Sequence, residues 1–194
     1  VHELLTQDGG AERVFMSIAE LFPEAPIYTL FHYPESSHPY FVNRDIRTTF
    51  LQRFIDFPFV RRRYNHFLTL LPYALQQWDF SEFDAVISSS SALVKSIQTP
   101  PDTFHLCYCH SPARYLWVES DDYVRSVRAN PLLKFVAPYF LQKLRAWDRA
   151  TADRPDAYLA NSQNVQDRIK RFYGRDSEVF YPFVEVEKFL NAPK

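Results

Sequence analysis

Phe104-His-Leu-Cys-Tyr-Cys-His110-Ser-Pro-Ala-Arg114 is a β-prone run that stops on a histidine. Residues 104–109 are apolar enough for a strand. Ser111-Pro112 then ends it, because proline has no N–H for a ladder and disfavours helix in the residue before it. In an open α/β sheet, an imidazole at the carboxyl end of a strand stands at the crevice where ligands bind. His110 is therefore the first candidate for chemistry, as a general acid or base or as a hydrogen-bond partner for a substrate. The plainer alternative is a core histidine at a strand end.

Outward from this run, short β-prone stretches alternate with longer helical ones, which reads as α/β with a mainly parallel sheet. Val1–Leu5 is the tail of a first strand. Gly9-Gly10 turns it into a helix over about residues 11–22, with Val14, Ile18, Leu21 and Phe22 on one face and Pro23 at its end. Strands are expected over 26–31, 46–51 and 84–88. A helix is expected over 60–78, within an aromatic and basic segment, and a short one around 92–97. Beyond His110 come a long helix over 131–151, a strand over 157–160 and a helix over 163–173. Asn161-Ser162 caps that last helix, Gly174 stops it, and a final strand covers 179–181. The expected domain spans residues 1–181, with 182–194 opening a linker; both ends read as cuts through a longer chain.

The 194 residues suffice for one well-buried domain. A net charge of −1 argues against a generally basic nucleic-acid binder. No apolar run approaches the roughly 20 residues that span a bilayer, and no signal-peptide pattern opens the chain, so a cytoplasmic location is expected. Cys107 and Cys109 share a strand face with His105. Ligands at alternate positions of one flat strand diverge, and zinc draws its ligands from at least two segments, so buried reduced thiols are expected rather than a metal site.

Three further stretches hold candidate chemistry. Gly9-Gly10-Ala-Glu-Arg13 leads into a helix whose amino end offers unpaired N–H groups and about half a positive charge, suited to a diphosphate. A ligand-free tight turn fits the spacing equally well, and the run is neither G-x-G-x-x-G nor a Walker A. Ser88–Ser91 precedes a helix, where its hydroxyls either hold a ligand or only cap. From Arg44 to Tyr73 there are six arginines against two aspartates, interleaved with aromatic rings. That mixture suits a membrane surface or an anionic lipid-linked ligand, and equally a helix with an aromatic core face.

Taken together, four pieces resemble the amino-terminal half of glycosyltransferase family 4, the GT-B architecture of two facing Rossmann-like domains. They are Leu5–Arg13, Asp84–Ser91, Cys107–Arg114, and Tyr158–Ser162 with Arg168–Gly174 and Tyr181-Pro182. The likeness extends to bacterial mannosyltransferase-like members that build surface polysaccharides. It implies a Rossmann-like, mainly parallel sheet with helices on both faces, forming one half of a GT-B glycosyltransferase whose donor-binding second domain is absent here. It also implies a retaining, metal-independent transfer of mannose or another hexose from a GDP- or UDP-sugar, with no cofactor. His110 maps onto the histidine that reaches the transferred sugar, and Gly9 and Gly10 onto the loop beside the donor phosphates, with Arg13 a secondary candidate there. Ser89, Ser90, Arg114, Arg61 and Arg62 are the acceptor-side candidates. The acceptor implied is a glycan or a lipid-linked glycan at the inner membrane surface, without nucleic acid.

Glu12 and Glu20 have the family's Glu-x7-Glu spacing, but on the first helix, where it is coincidental. Glu3 stands where many relatives carry aspartate after histidine, and Tyr-Pro-Phe replaces the common Tyr-Pro-Pro. Two other classes compete: a non-catalytic glycan- or partner-binding module of the same fold, and a nucleotide-binding redox domain. Leu30-Phe31-His32 counts against the second, because it lacks an acidic ribose reader.

Overall fold

The computed structural model describes residues 1–55, 70–118 and 131–183. Arg61, Arg62, most of the helix expected over 60–78, and the linker from residue 184 onward lie outside the described residues.

β1 (Ile27–Thr29) pairs with β2 (Ile46–Thr48), and β3 (Ala85–Ser90), β4 (Phe104–Cys109), β5 (Ala157–Ala160) and β6 (Glu178–Val179) follow side by side, all parallel. Residues 1–5 join the two groups. His2 bridges to Thr29 on one side and Ser89 on the other, its N–H donating to Tyr28 O (2.8 Å), while Ser89 N–H donates to Val1 O (2.8 Å). The spatial order is thus β2, β1, residues 1–5, β3, β4, β5, β6. The chain winds outward one way from residues 1–5 and then, from β3, the other way. Such a reversal opens the crevice where α/β sheets take ligands.

Side chains alternate between two covered faces, the condition under which parallel strands are stable. On β1, Ile27 packs with Phe15, Ala19 and Phe41, while Tyr28 turns to the opposite core of Trp78, Phe80, Val86 and Leu93. On β4, His105, Cys107 and Cys109 share one buried face; the two thiols pack with Tyr158, Val165, Ile169 and Tyr173. The α/β class with a mainly parallel sheet expected from the residues, and the Rossmann-like form the resemblance implied, are the architecture observed.

α1 (Gly10–Glu20) starts and stops close to expectation, but its buried side is Glu12, Phe15 and Ala19. Leu21 (69% exposed) and Phe22 (49%) lie beyond its last turn on the surface. The helix turns Phe15 inward because that ring stacks between His2 and Phe41. The strand expected over 84–88 runs on through Ser90, so the serines are strand, not turn. A single 3₁₀ turn, Val94–Ser96, replaces the short helix. After α2 (Gln52–Ile55), α3 (Leu71–Leu75) and α4 (Arg114–Trp117) comes the long α5 (Pro131–Ala150). α6 (Gln163–Tyr173) has the expected ends: Ser162 Oγ accepts from Val165 N, and Gly174 takes φ 70°.

Candidate functional site

His110 is the first residue past β4, and its N–H donates to Ser90 O (2.8 Å), carrying the ladder one step beyond the strand. This puts the imidazole beside the crevice. Its Nε2 lies 2.8 Å from Ser89 Oγ, and the same hydroxyl lies 3.0 Å from His2 Nδ1. The His2 ring stacks flat on Phe15 of α1, with centroids 4.6 Å apart, and meets the His110 ring edge-on at 6.4 Å. One continuous set of side chains thus connects His110 to the first helix on one side of the sheet. His110 itself is half-buried.

Loss of water lowers the pKa of His110 to about 4 and that of His2 well below 6.5, with the two rings further disfavouring each other's charge at His2. Both are neutral at pH 7. A neutral imidazole has one N–H donor and one bare acceptor. Ser89 takes up Nε2 of His110, leaving Nδ1 as the nitrogen able to serve a ligand.

The two glycines of the first loop have different reasons. A Cβ on Gly9 would lie 2.5 Å from Glu12 Oε2, so the buried Glu12 carboxylate would have to shift to admit one. A Cβ on Gly10 would meet nothing within 4 Å. Nothing in the described fold requires glycine at 10, and its bareness leaves the amino end of α1 open to approach. Arg13 makes a paired contact with Asp8, Nε to Oδ1 at 3.0 Å and Nη2 to Oδ2 at 3.2 Å, which braces the loop. Arg114 is exposed at the start of α4.

Ser89 and Ser90, expected on the acceptor side, are buried and engaged internally. Ser89 Oγ serves the two histidines, and Ser90 Oγ accepts from Lys95 N. The amide groups that follow them are also taken. Glu3, 8% exposed, accepts from the N–H groups of Ser91 (3.3 Å), Ala92 (3.1 Å), Leu93 (2.8 Å) and Val94 (3.4 Å). Burial raises its pKa against the opposing pull of those amides. The turn that the residues suggested for a ligand hydroxyl or phosphate is filled by the protein's own carboxyl group. In the sequence, Glu3 stood out only as a departure from the family pattern, and His2 only as the histidine that precedes it.

A second buried network holds the elements around the site. Lys95 and Asp148, both almost fully buried, pair at 3.0 Å, and Lys95 Nζ also donates to Asp148 O and Thr151 Oγ1. Trp117 Nε1 donates to Asp148 Oδ2 (2.7 Å), and Lys95 Nζ sits 4.7 Å from the Tyr173 ring centroid. The turn after β3 is thereby tied to α4, α5 and α6. Burial pushes the Cys107 thiol up to about 12 and Cys109 well above 9, so both remain protonated. Among the described residues no group of His, Cys, Asp and Glu gathers as a metal site, and no helix is long and apolar enough to cross a membrane. An apolar cavity of about 170 Å³, lined by Phe15, Ile18, Phe22, Tyr28 and Phe83, lies under the amino ends of β1 and β3, away from His110.

The Rossmann-like domain thus carries a histidine and the amino end of a helix where its strand order reverses. The family model of Glycosyltransferase Family 4 matches residues 8–188, and the chain belongs to that family; its role is that of a glycosyltransferase. No curated protein matches the chain.

Proposed function

We propose that this domain is the acceptor-side half of a retaining glycosyltransferase that moves mannose or another hexose from a GDP- or UDP-sugar to a glycan or lipid-linked acceptor. A second α/β lobe across the crevice supplies donor recognition. The observation that carries this reading is the neutral imidazole of His110 at the switch point, joined through His2 and Phe15 to α1. His110 holds the transferred sugar by hydrogen bonding and is not the nucleophile. The open approach at Gly10 admits the diphosphate, whose charge grows as it leaves and is met by the unpaired N–H groups of α1 rather than by a metal ion. Arg13, braced by Asp8, adds positive charge at the same end. Arg114 faces the acceptor together with the aromatic, arginine-rich segment that includes Arg61 and Arg62, and that segment draws the enzyme to the inner membrane surface.

The test is transfer by the full-length enzyme carrying His110→Ala. Loss of one positioned hydrogen-bonding group in a water-poor site costs about 100-fold or more in turnover. Turnover close to wild type would remove His110 from the mechanism. Transfer that survives a chelator supports the metal-free reading, and dependence on added divalent cation would refute it.

A further inference from the structure

Ser111 follows His110 past the carboxyl end of β4, and the two residues meet opposite sides of the sheet. Pairing in register puts His2, Ser89 and Tyr108 on one side, where His2 stacks on Phe15 of α1 and His110 reaches Ser89. Cys107 and Cys109 face the other side, under α6. Arg168 stands in the second turn of α6. Side chains on a helix tilt toward its amino end, and that end of α6 follows the carboxyl end of β5, so the guanidinium is carried back toward the crevice. There its Nη1 donates to Ser111 Oγ at 3.4 Å. The Ser111 hydroxyl donates its own hydrogen to Pro112 O (2.9 Å), which leaves the oxygen as an acceptor. One turn along α6, Phe172 stacks on Trp117 with centroids 5.1 Å apart and seats this part of the helix against α4.

Arg168 is the exception among the half-buried arginines of the described residues. Arg44, Arg145, Arg154 and Arg175 all donate to main-chain carbonyl oxygens. Arg168 holds no carbonyl and pairs with no carboxylate among the described residues; its one partner there is a neutral hydroxyl at the long end of hydrogen-bond distance. A guanidinium carries five N–H donors, and withdrawing it partly from water without acceptors is costly. The group that best meets those donors is an oxyanion, which takes two parallel N–H···O bonds from the guanidinium fork. Arg114, exposed at the start of α4, adds a second cation to the loop that Ser111 begins.

We propose that Arg168, oriented by Ser111, binds a phosphate-class anion carried by the acceptor. The donor diphosphate is assigned to the amino end of α1, across the sheet, so the anion at Arg168 is a different one. The anion site stands on the geometry of Arg168; its assignment to an acceptor rests on the glycosyltransferase reading above.

The side-chain Nε–H signals of the ¹⁵N-arginine-labelled chain, titrated with inorganic pyrophosphate, test the site directly. The Arg168 signal, assigned by its loss in Arg168→Gln, should shift, while that of Arg171 on the same helix stays in place. In the full-length enzyme, Arg168→Gln should raise the KM for a phosphate-bearing lipid-linked acceptor about tenfold, with kcat and the KM for the nucleotide sugar held. Arg168→Lys keeps the charge without the fork and should recover part of the loss, and Arg171→Gln should change nothing. With an acceptor whose phosphate is replaced by an uncharged linker, the unaltered enzyme and Arg168→Gln should perform alike. An Arg168 signal that pyrophosphate does not move would overturn the proposal. So would a KM rise confined to the nucleotide sugar, which would give the guanidinium to the donor. A responsive Arg168 in a full-length protein that transfers no sugar would overturn the transferase reading and leave the anion site in place.

Discussion

Acid should loosen this domain well before its carboxylates titrate, because three imidazoles are folded in the neutral state. Desolvation holds His105 at about 3 and His110 at about 4, against 6.5 for an exposed ring, and holds His2 lower than 6.5 as well. Between those values the unfolded chain binds more protons than the folded one. The stability these groups contribute is therefore present above pH 6.5 and is lost as pH falls toward the folded values. Going from pH 7 to pH 5, one such histidine costs about 2 kcal/mol. His105 and His110 together remove about 4 kcal/mol, and His2 adds to the loss. Glu3 acts in the opposite sense, since its raised pKa favours the fold as pH drops, but only over a window that opens upward from 4.5. For a domain whose total stability is about 5–15 kcal/mol, a loss of 4 is large. Urea unfolding followed by circular dichroism at the two pH values measures it. His105→Gln keeps a polar group where Nε2 meets Ser88 Oγ (2.8 Å) but cannot titrate, and should reduce the drop by about 2 kcal/mol. Equal stability at pH 7 and pH 5, to within about 1 kcal/mol, would refute the reasoning, as would a His105→Gln chain with the full drop.

The two glycines should part company: Gly9→Ala meets Glu12 Oε2 and should cost about 1–3 kcal/mol, whereas Gly10→Ala should leave stability unchanged or raise it by up to about 1 kcal/mol, both read by thermal melting. Lys95→Met strands the buried Asp148 carboxylate and should cost about 3–5 kcal/mol in urea, with much of it recovered by adding Asp148→Leu; a single mutant as stable as wild type would show that the pair holds nothing together. Glu3→Ala leaves the two shortest amide bonds, to Leu93 and Ala92, without their acceptor and should destabilise by about 3–6 kcal/mol, with faster hydrogen exchange at residues 91–94 as the local signature.

Much of this architecture was legible because its causes are local. Proline after Ser111 stops β4 at the histidine, the Ser162 hydroxyl caps its own helix, and Gly174 alone tolerates the left-handed turn that ends it. Each of these needs only neighbours within a few positions, and so do the alternating strands and helices that define the class. The buried face of α1 differs from the one apolar spacing marks, because that spacing counts Leu21 and Phe22, while the pairing of Phe15 with His2 and Phe41 decides the rotation.

The inner workings of the site came from distance. Glu3 reaches amides about ninety positions away, Ser89 stands between histidines at 2 and 110, and Lys95 finds Asp148 53 positions further along the chain. None of those partners is recognisable from residue type or spacing. They meet because the chain returns from β2 to place β3 against its own first residues, and a parallel sheet then brings the strands' carboxyl ends to one crevice. Residue chemistry named His110; the winding order of the sheet supplied the groups that aim it.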